Sequence, residues 1–199
     1  MPPSKAAEFF FRGKNYNCPA SVYCPSEDSY FLAENVNVKK GATVADMGCG
    51  CGIQSLNALM KGASKVYAID VNVQALRATE ENCKSAGFSG KVKGIKSDLF
   101  EKFKGKADCI IFNPPYVESD GIRFVDLDGG KKGREVLDRF LEQMPQRLSK
   151  NGECWFLQTD LNGYAKTREI LRKAGVESKI VARKRGFFEE LAVFGCWKK

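Results

Sequence analysis

The sequence predicts an α/β protein with a mostly parallel seven-stranded sheet, one antiparallel strand near the C-terminus and helices on both faces. From residue 43 onward, short apolar runs alternate with longer segments whose apolar residues recur at helical spacing. Near the C-terminus, two strand-like runs follow each other without a helix between them. Alternating strands and helices build parallel sheets, whereas two consecutive strands indicate that one of them lies antiparallel.

The predicted strands are short apolar runs, and most of them are bounded by glycine, aspartate or asparagine. The first four are TVADMG (43–48), KVYAID (65–70), GKVKGIKSD (90–98) and ADCIIF (107–112). Three more are ECWFLQT (153–159) and two runs around ESKIVARK (177–184) and FFEELAVFGCWK (187–198).

Helices are predicted between these strands because their apolar residues fall on one side. The first helix, at 53–63, carries Leu56, Leu59 and Met60 on one face. The second ends at Gly87, which is a natural C-terminal stop. The predicted helices are VNVQALRATEENCKSAG (71–87), GREVLDRFLEQMPQRL (133–148) and NGYAKTREILRKAG (162–175), in addition to 53–63.

The chain of 199 residues is long enough to bury one core, and it predicts a single domain. Residues 43–199 form the predicted catalytic core, and residues 1–42 an extension packed near the ligand site. No apolar window is long enough to cross a membrane, so we expect a cytoplasmic protein. The formal charge of +8 fits either a polyanionic partner such as nucleic acid or a solvated, lysine-rich surface.

The composition argues against a metal site and against nucleophiles that histidine activates. Eight cysteines are spread along the chain without a C-x-x-C pair, and histidine is absent. We therefore expect reduced, mostly structural thiols and no metal site. The absence of histidine also removes the Ser-His and Cys-His nucleophile mechanisms in their usual forms.

The first strand runs into a glycine-rich loop, DMGCGCG, with glycine at positions 48, 50 and 52. A dinucleotide fingerprint requires its third glycine at position 53, which is Ile53. Asp46 also places a carboxylate where a pyrophosphate would lie, and this like charge selects against phosphate and for a cation. The loop of Gly48, Gly50 and Gly52 therefore predicts S-adenosylmethionine, whose ammonium and sulfonium groups are positive, as the cofactor.

Two further acids follow the next two strands. Asp70 closes the second strand, where it can accept hydrogen bonds from both ribose hydroxyls of such a cofactor. Asp98 closes the third strand, where it can accept from the adenine amino group. A helix cap is the alternative role for Asp70, because aspartate often begins a helix that follows a strand.

The fourth strand ends in Asn113, Pro114, Pro115 and Tyr116. The Asn113 side-chain oxygen and the Pro114 carbonyl can accept the two hydrogens of a planar –NH₂ group, which favours its nucleophilic form. Both prolines stiffen the turn. Tyr116 can stack on the flat group being methylated, and Pro115 is a further predicted substrate contact. The alternative is a rigid turn without chemistry. The glycine loop upstream favours catalysis at Asn113, Pro114 and Tyr116.

The motifs DMGCGCG, AIDVN, SDLF and FNPPYV resemble the Rossmann-like class I methyltransferases that act on amide or exocyclic amine nitrogens. The blocks VYCPSEDSYFL (22–32) and GGKKGREVLDRFL (129–141) are similar to the archaeal and eukaryotic branch of the HemK-related release-factor glutamine methyltransferases. The resemblance covers the chain from about residue 20 to the end. It implies N5-methylation of the glutamine in the Gly-Gly-Gln loop of a class I peptide release factor.

The resemblance also implies specific contacts and partners. The implied cofactor contacts are Ser29, Asp46, Gly48, Asp70, Asp98 and Leu99, and the implied substrate contact is Asn113. A small zinc-binding activator subunit is implied as well, docked on the sheet edge formed by the strand at 90–98. The lysines of that strand (Lys91, Lys93 and Lys96) either protect the edge or select an acidic partner.

Two other functions remain open at the level of sequence. One is a tRNA or rRNA methyltransferase acting on adenine N6 or guanine N2, which the same Asn-Pro-Pro-Tyr geometry serves and the positive charge favours. The other is a non-catalytic cofactor-binding scaffold, against which the intact Asn113 and Tyr116 argue. No membrane partner is expected.

Overall fold

The computed structural model describes residues 6–119 and 128–198. Its strands are β1 (Ala7–Phe11), β2 (Lys14–Cys18), β3 (Thr43–Met47), β4 (Lys65–Asp70), β5 (Val92–Lys96), β6 (Ala107–Phe112), β7 (Leu148–Thr159), β8 (Val176–Arg185) and β9 (Glu190–Lys198). Its helices are α1 (Glu27–Asn35), α2 (Ile53–Met60), α3 (Val73–Ser85), α4 (Glu135–Arg147) and α5 (Tyr164–Lys173).

Seven strands form one sheet in the order β5-β4-β3-β6-β7-β9-β8. The pairs β3–β4, β3–β6, β4–β5 and β6–β7 are parallel, and β9 is antiparallel to both of its neighbours, β7 and β8. The predicted fold class, including the single antiparallel strand near the C-terminus, is confirmed. The chain order reverses direction between β3 and β6, which creates the switch point where ligands of such sheets bind.

Apolar side chains cover both faces of this sheet. On one face, α1 and α2 contribute Leu32 and Leu56, which belong to the same buried cluster as Val44 and Ile111. On the other face, α4 buries Leu137, Phe140, Leu141 and Met144 against the residues of β6, β7 and β9. Because the central strands are covered on both faces, their sequences are nearly continuous apolar runs.

A two-stranded hairpin, β1–β2, precedes the main sheet, and the sequence analysis did not predict it. Its turn is the pair Arg12–Gly13, and both residues have positive φ (46° and 86°), as a type I′ turn requires. Phe9, Phe11 and Tyr16 are buried on the side that joins the main core. The signal available in the sequence was the Arg-Gly pair between two short runs rich in aromatic residues and cysteine, AEFFF and KNYNC.

The boundaries of the remaining elements differ from the predicted ones by a few residues. The largest difference is β7, which begins at Leu148 instead of 153 because the turn around Asn151 (φ 61°) continues the ladder beside β6. Within the described residues, no helix combines the length and the apolar composition needed to cross a membrane.

Candidate active site

A cavity of about 610 Å³ opens at the carboxyl ends of β3, β4, β5 and β6. Its size is in the range of cofactor sites. Eleven of the twelve predicted site residues line it: Ser29, Asp46, Gly48, Gly50, Asp70, Asp98, Leu99, Asn113, Pro114, Pro115 and Tyr116. Gly52 does not line the cavity, and instead lies against α3.

The glycine loop turns sharply between β3 and α2. Gly50 has a φ of 54°, and its N–H donates to Asp70 Oδ2 at 3.1 Å, which ties the loop to the end of β4. Gly52 has a φ of 93°, and a Cβ there would meet Thr79 of α3 at 3.0 Å. Gly52 therefore allows α2 and α3 to approach each other, whereas a Cβ at Gly50 would meet the Tyr23 carbonyl oxygen at 3.7 Å, an ordinary contact distance.

Asp46 is the most buried acid of the cavity, with 1% of its surface exposed. Its Oδ2 accepts a hydrogen bond of 2.6 Å from Ser55 Oγ on α2. Burial raises the pKa of this carboxyl to about 7, against the opposing effect of the Ser55 hydrogen bond. A cation bound beside Asp46 would stabilise the ionised form, which agrees with the predicted preference for a positive ligand.

Asp70 and Asp98 lie at the same edge of the sheet. Asp70 Oδ1 accepts from the Asn72 N–H at 2.8 Å, and Asn72 itself caps α3 through its side chain. Asp70 is therefore not the cap of this helix, and its carboxylate holds the loop and lines the cavity. Asp98 forms an ion pair with Arg139 of α4, so the predicted adenine acceptor is already held in place by a cation. The sequence analysis did not single out Arg139.

Asn113 carries an unpaired acceptor into the cavity. Its Nδ2 donates to Asp28 Oδ2 at 2.9 Å and lies 3.4 Å from Ser29 Oγ. Its Oδ1 is buried and has no hydrogen-bond partner among the described residues. Buried acceptors are nearly always paired, so an unpaired one beside a cavity indicates a place where a donor binds.

Tyr116 closes the other side of this turn. Its hydroxyl donates to Asp28 Oδ2 at 3.3 Å, and its backbone carbonyl accepts from Asn162 Nδ2 at 3.0 Å. Burial and the neighbouring Asp28 carboxylate raise the pKa of the Tyr116 hydroxyl, which keeps it protonated and neutral.

Asp28 connects the N-terminal extension to Asn113 and Tyr116. Its sequence pattern fits an N-cap of α1, but the N-cap is Ser26, and the Asp28 side chain is 5% exposed. In addition to Asn113 and Tyr116, it accepts from Tyr23 Oη at 3.0 Å and from the Ser29 N–H at 2.6 Å. The signal in the sequence was the acidic pair Glu27–Asp28 in PSED. Only Asp28 is buried at the site, whereas Glu27 is exposed and forms an ion pair with Lys184 on β8.

No group of three or more cysteine or acidic side chains within the described ranges is arranged to hold a metal ion. The eight cysteines are all free thiols, and seven of them are buried. The site thus combines buried acids, a glycine loop and one unpaired amide oxygen. Chemically, it can hold a cationic ligand beside Asp46 and orient a planar amine at Asn113.

Comparison with known proteins matches this chain to methyltransferases. The family model for the methyltransferase small domain matches residues 22–188. The chain is 38% identical over 183 residues to a protein of Methanocaldococcus jannaschii provisionally named a protein N5-glutamine methyltransferase, covering 89% of this chain and 92% of that protein. It is also 29% identical to the release factor glutamine methyltransferase of Borreliella burgdorferi, covering 71% of this chain and 54% of that protein.

Among solved structures, a chain of the E. cuniculi Mtq2–Trm112 complex, described as responsible for methylation of the eRF1 translation termination factor, superposes with a TM-score of 0.71. The two chains are 24% identical, and the match covers 90% of this chain and 99% of the other, so it demonstrates the shared fold. The family model and the M. jannaschii relative each span most of the chain. The protein therefore belongs to the methyltransferase small domain family.

Proposed function

We propose that the protein transfers a methyl group from S-adenosylmethionine to N5 of the glutamine in the Gly-Gly-Gln motif of a class I peptide release factor. The single observation that carries the chemistry is the buried, unpaired Asn113 Oδ1 at the edge of the cavity. The choice of a glutamine side chain is supported by the two named relatives. We also propose a cytoplasmic location, because the proposed substrate is a translation factor.

The cavity residues fit the cofactor by charge and shape. Asp46 supplies a negative charge for the methionine ammonium, and Asp70 has carboxylate oxygens beside the loop for the ribose hydroxyls. Gly48 and Gly50 allow the loop backbone to approach closely, and Leu99 contributes an apolar wall. When bound, S-adenosylmethionine supplies an electrophilic methyl group.

The protein's part in the reaction is to hold the acceptor nitrogen. An amide nitrogen is a poor nucleophile because its lone pair is delocalised into the carbonyl. Hydrogen bonds from its two hydrogens to Asn113 Oδ1 and to the Pro114 carbonyl favour the pyramidal form and fix its direction. Because Pro114 is buried and lacks an N–H, these acceptors are rigidly placed before the substrate arrives. Orientation of this kind contributes roughly 7–11 kcal/mol in well-aligned cases.

The test of this function is methylation of a purified release factor with labelled S-adenosylmethionine. We expect mass spectrometry to find one methyl group on the glutamine of the Gly-Gly-Gln motif, and no label in a substrate whose glutamine is replaced by alanine. Bulk tRNA and rRNA serve as the competing substrates, because the net charge of +8 favours RNA. Label found on RNA bases and absent from the release factor would refute the proposal.

Asp46 gives the protein a defined pH dependence. The pKa of Asp46 in the folded state is about 7, above the ordinary value of 3.8, so folding favours the protonated form. Its contribution to the free energy of unfolding is therefore greatest at acidic pH and is lost as the pH rises through about 7. We expect Asp46→Asn to raise the melting temperature of the ligand-free protein more at about pH 8 than at about pH 5.

The same variant should bind the cofactor more weakly at about pH 8, where the wild-type carboxylate is ionised. Thermal melts and calorimetry in buffers of different ionisation enthalpy check both expectations, since wild-type binding should release a proton near neutral pH. An Asp46→Asn protein that gains no stability at alkaline pH would contradict the raised pKa.

We also propose that a small activator subunit docks on β5. In the sheet order β5 is an edge strand, and two exposed lysines lie on it, Lys93 and Lys96, with exposed Lys91 directly before it. The Gly94 N–H already donates to Glu80 Oε1 at 2.8 Å, so part of the edge is occupied by α3. Strand addition must therefore displace Glu80 or bind beside it, and the lysines then favour an acidic partner.

Charge reversal of one lysine tests this interface. Lys93→Glu should weaken binding of a Trm112-like subunit, and the loss should be larger at low salt than at high salt because exposed charges are screened. Lys150→Glu, outside the edge strand, is the matched control. Full activity of the isolated chain, with no gain from the subunit, would support the protected edge instead.

A further inference from the structure

Asp28 lines the cavity and hydrogen-bonds to the active-site amide of Asn113. Its two carboxylate oxygens accept from five donor atoms. Oδ1 accepts from Tyr23 Oη and from the N–H and Oγ of Ser29, at 3.0, 2.6 and 3.2 Å. Oδ2 accepts from Asn113 Nδ2 and Tyr116 Oη, at 2.9 and 3.3 Å.

This arrangement determines which end of the Asn113 amide faces the substrate. A carboxylate can only accept hydrogen bonds, so the –NH₂ end of Asn113 must turn toward Asp28. The oxygen end is then directed away, and it is this Oδ1 that is buried and unpaired. With the amide reversed, an –NH₂ group would face the acceptor amine, and two donors would meet.

We propose that Asp28 is a positioning residue that fixes the Asn113 amide with its oxygen toward the methyl acceptor. This inference rests on the methyl transfer proposed above and adds a residue that is not among the site residues predicted from the sequence. Asp28 acts through Asn113 and Tyr116, and it reaches them from α1, so it couples the N-terminal extension to the chemistry.

The discriminating variant is Asp28→Asn, which keeps the shape but replaces one acceptor with a donor. Three donors already converge on Oδ1, so the new –NH₂ group takes the Oδ2 position and faces Asn113 Nδ2. Asn113 must then reverse to accept from it. We expect kcat to fall on the order of 100-fold, comparable to the loss of one preorganised group in an active site. The affinity for cofactor and the KM for the release factor should change little.

Rescue by a second substitution separates positioning from a structural role. In the double variant Asp28→Asn with Asn113→Asp, the carboxylate at 113 accepts from the new amide with one oxygen and presents the other to the cavity. We expect this pair to be at least about tenfold faster than Asp28→Asn alone, a coupling that only interacting residues show. Asn113→Asp alone places two carboxylates in contact and should be slow. Glu27→Gln, at the exposed neighbouring acid, should keep wild-type kcat.

Side-chain amide signals provide a readout without substrate or cofactor. In ¹⁵N-labelled protein, the Asn113 –NH₂ resonances should move on Asp28→Asn toward the values of an amide that has lost its carboxylate partner, with the melting temperature nearly unchanged. This measurement does not depend on whether glutamine is the methyl acceptor. It therefore separates a failure of this proposal from a failure of the proposed function. Unmoved Asn113 resonances, or a double variant no faster than Asp28→Asn, would overturn the role of Asp28.

Discussion

Asn113→Ala should reduce kcat for methyl transfer by on the order of 100- to 1,000-fold, because it removes the side-chain acceptor that we propose for the substrate amine. Asn113 Oδ1 is buried beside the cavity and has no hydrogen-bond partner within residues 6–119 and 128–198. Loss of Nδ2 also removes one of the two hydrogen bonds to Asp28 Oδ2 and leaves the one from Tyr116 Oη. Cofactor affinity should stay close to that of the wild type, since the acids that would bind the cofactor lie on β3 and β4.

The matched comparison is Asp70→Ala, which should give the opposite pattern. Asp70 holds the Gly50 N–H and lines the cofactor side of the cavity, so its loss should weaken cofactor binding by roughly 1–3 kcal/mol. At saturating cofactor, its kcat should largely recover. Single-turnover kinetics and calorimetry measure the two effects separately. If Asn113→Ala kept a tenth of the wild-type rate, the acceptor role given to this residue would be wrong.

The sequence was sufficient for the fold because the signals that determine it are local. Strand β6 and the turn after it are formed by consecutive residues: four buried apolar residues are followed by Asn113 and two prolines. The acids Asp46 and Asp70 could be assigned to one edge because the carboxyl ends of parallel strands meet there. Nothing beyond the strand order was needed to bring them to one cavity.

The parts that escaped prediction depend on contacts between distant segments. Asp28 reaches Asn113 across 85 positions of the chain, and no periodicity encodes that contact. Gly52 was assigned to the cofactor by its place in the loop, but its neighbour is Thr79, which becomes visible only when α2 and α3 are packed. Arg139 lies on α4 outside its apolar stripe, and its ion pair with Asp98 becomes visible only when α4 is packed on the sheet.

The glycines of the segment 129–133 are typical of a mobile flap over the substrate, but the structure shows this segment packed. The Gly129 N–H donates to the Val117 carbonyl at 2.8 Å, and the Ser119 N–H donates to the Gly130 carbonyl at 3.2 Å. Gly133 is buried beneath Lys131 and Lys132, which are exposed. Glycine here permits close backbone contact with the Tyr116 turn, and the sequence alone does not distinguish that use from flexibility.

Gly133→Ala should therefore be the most damaging substitution outside the cavity. Gly133 has a φ of 61°, and a Cβ there would overlap the Tyr116 carbonyl oxygen and Asn162 Nδ2, which hydrogen-bond to each other. Left-handed backbone costs about 1–2 kcal/mol for a residue with a Cβ, and overpacking adds about 1–3 kcal/mol. We expect the free energy of unfolding to fall by about 3 kcal/mol, and kcat to fall as well because the Tyr116 turn is displaced.

Gly175→Ala is the control that separates backbone strain from steric overlap. Gly175 has a similar φ of 69°, but a Cβ at that position meets no atom within 4 Å. This variant should lose only the backbone contribution of about 1–2 kcal/mol and keep the wild-type kcat, since it lies after α5 and away from the cavity. Denaturant unfolding and steady-state kinetics on both variants measure the difference.

Equal losses of stability in the two proteins would mean that the 129–133 segment yields to the added methyl group, and the interpretation of that segment as a flap would then stand. A larger loss at Gly133, accompanied by a slower reaction, would show that the same glycine that allows the close contact also holds Tyr116 beside Asn113.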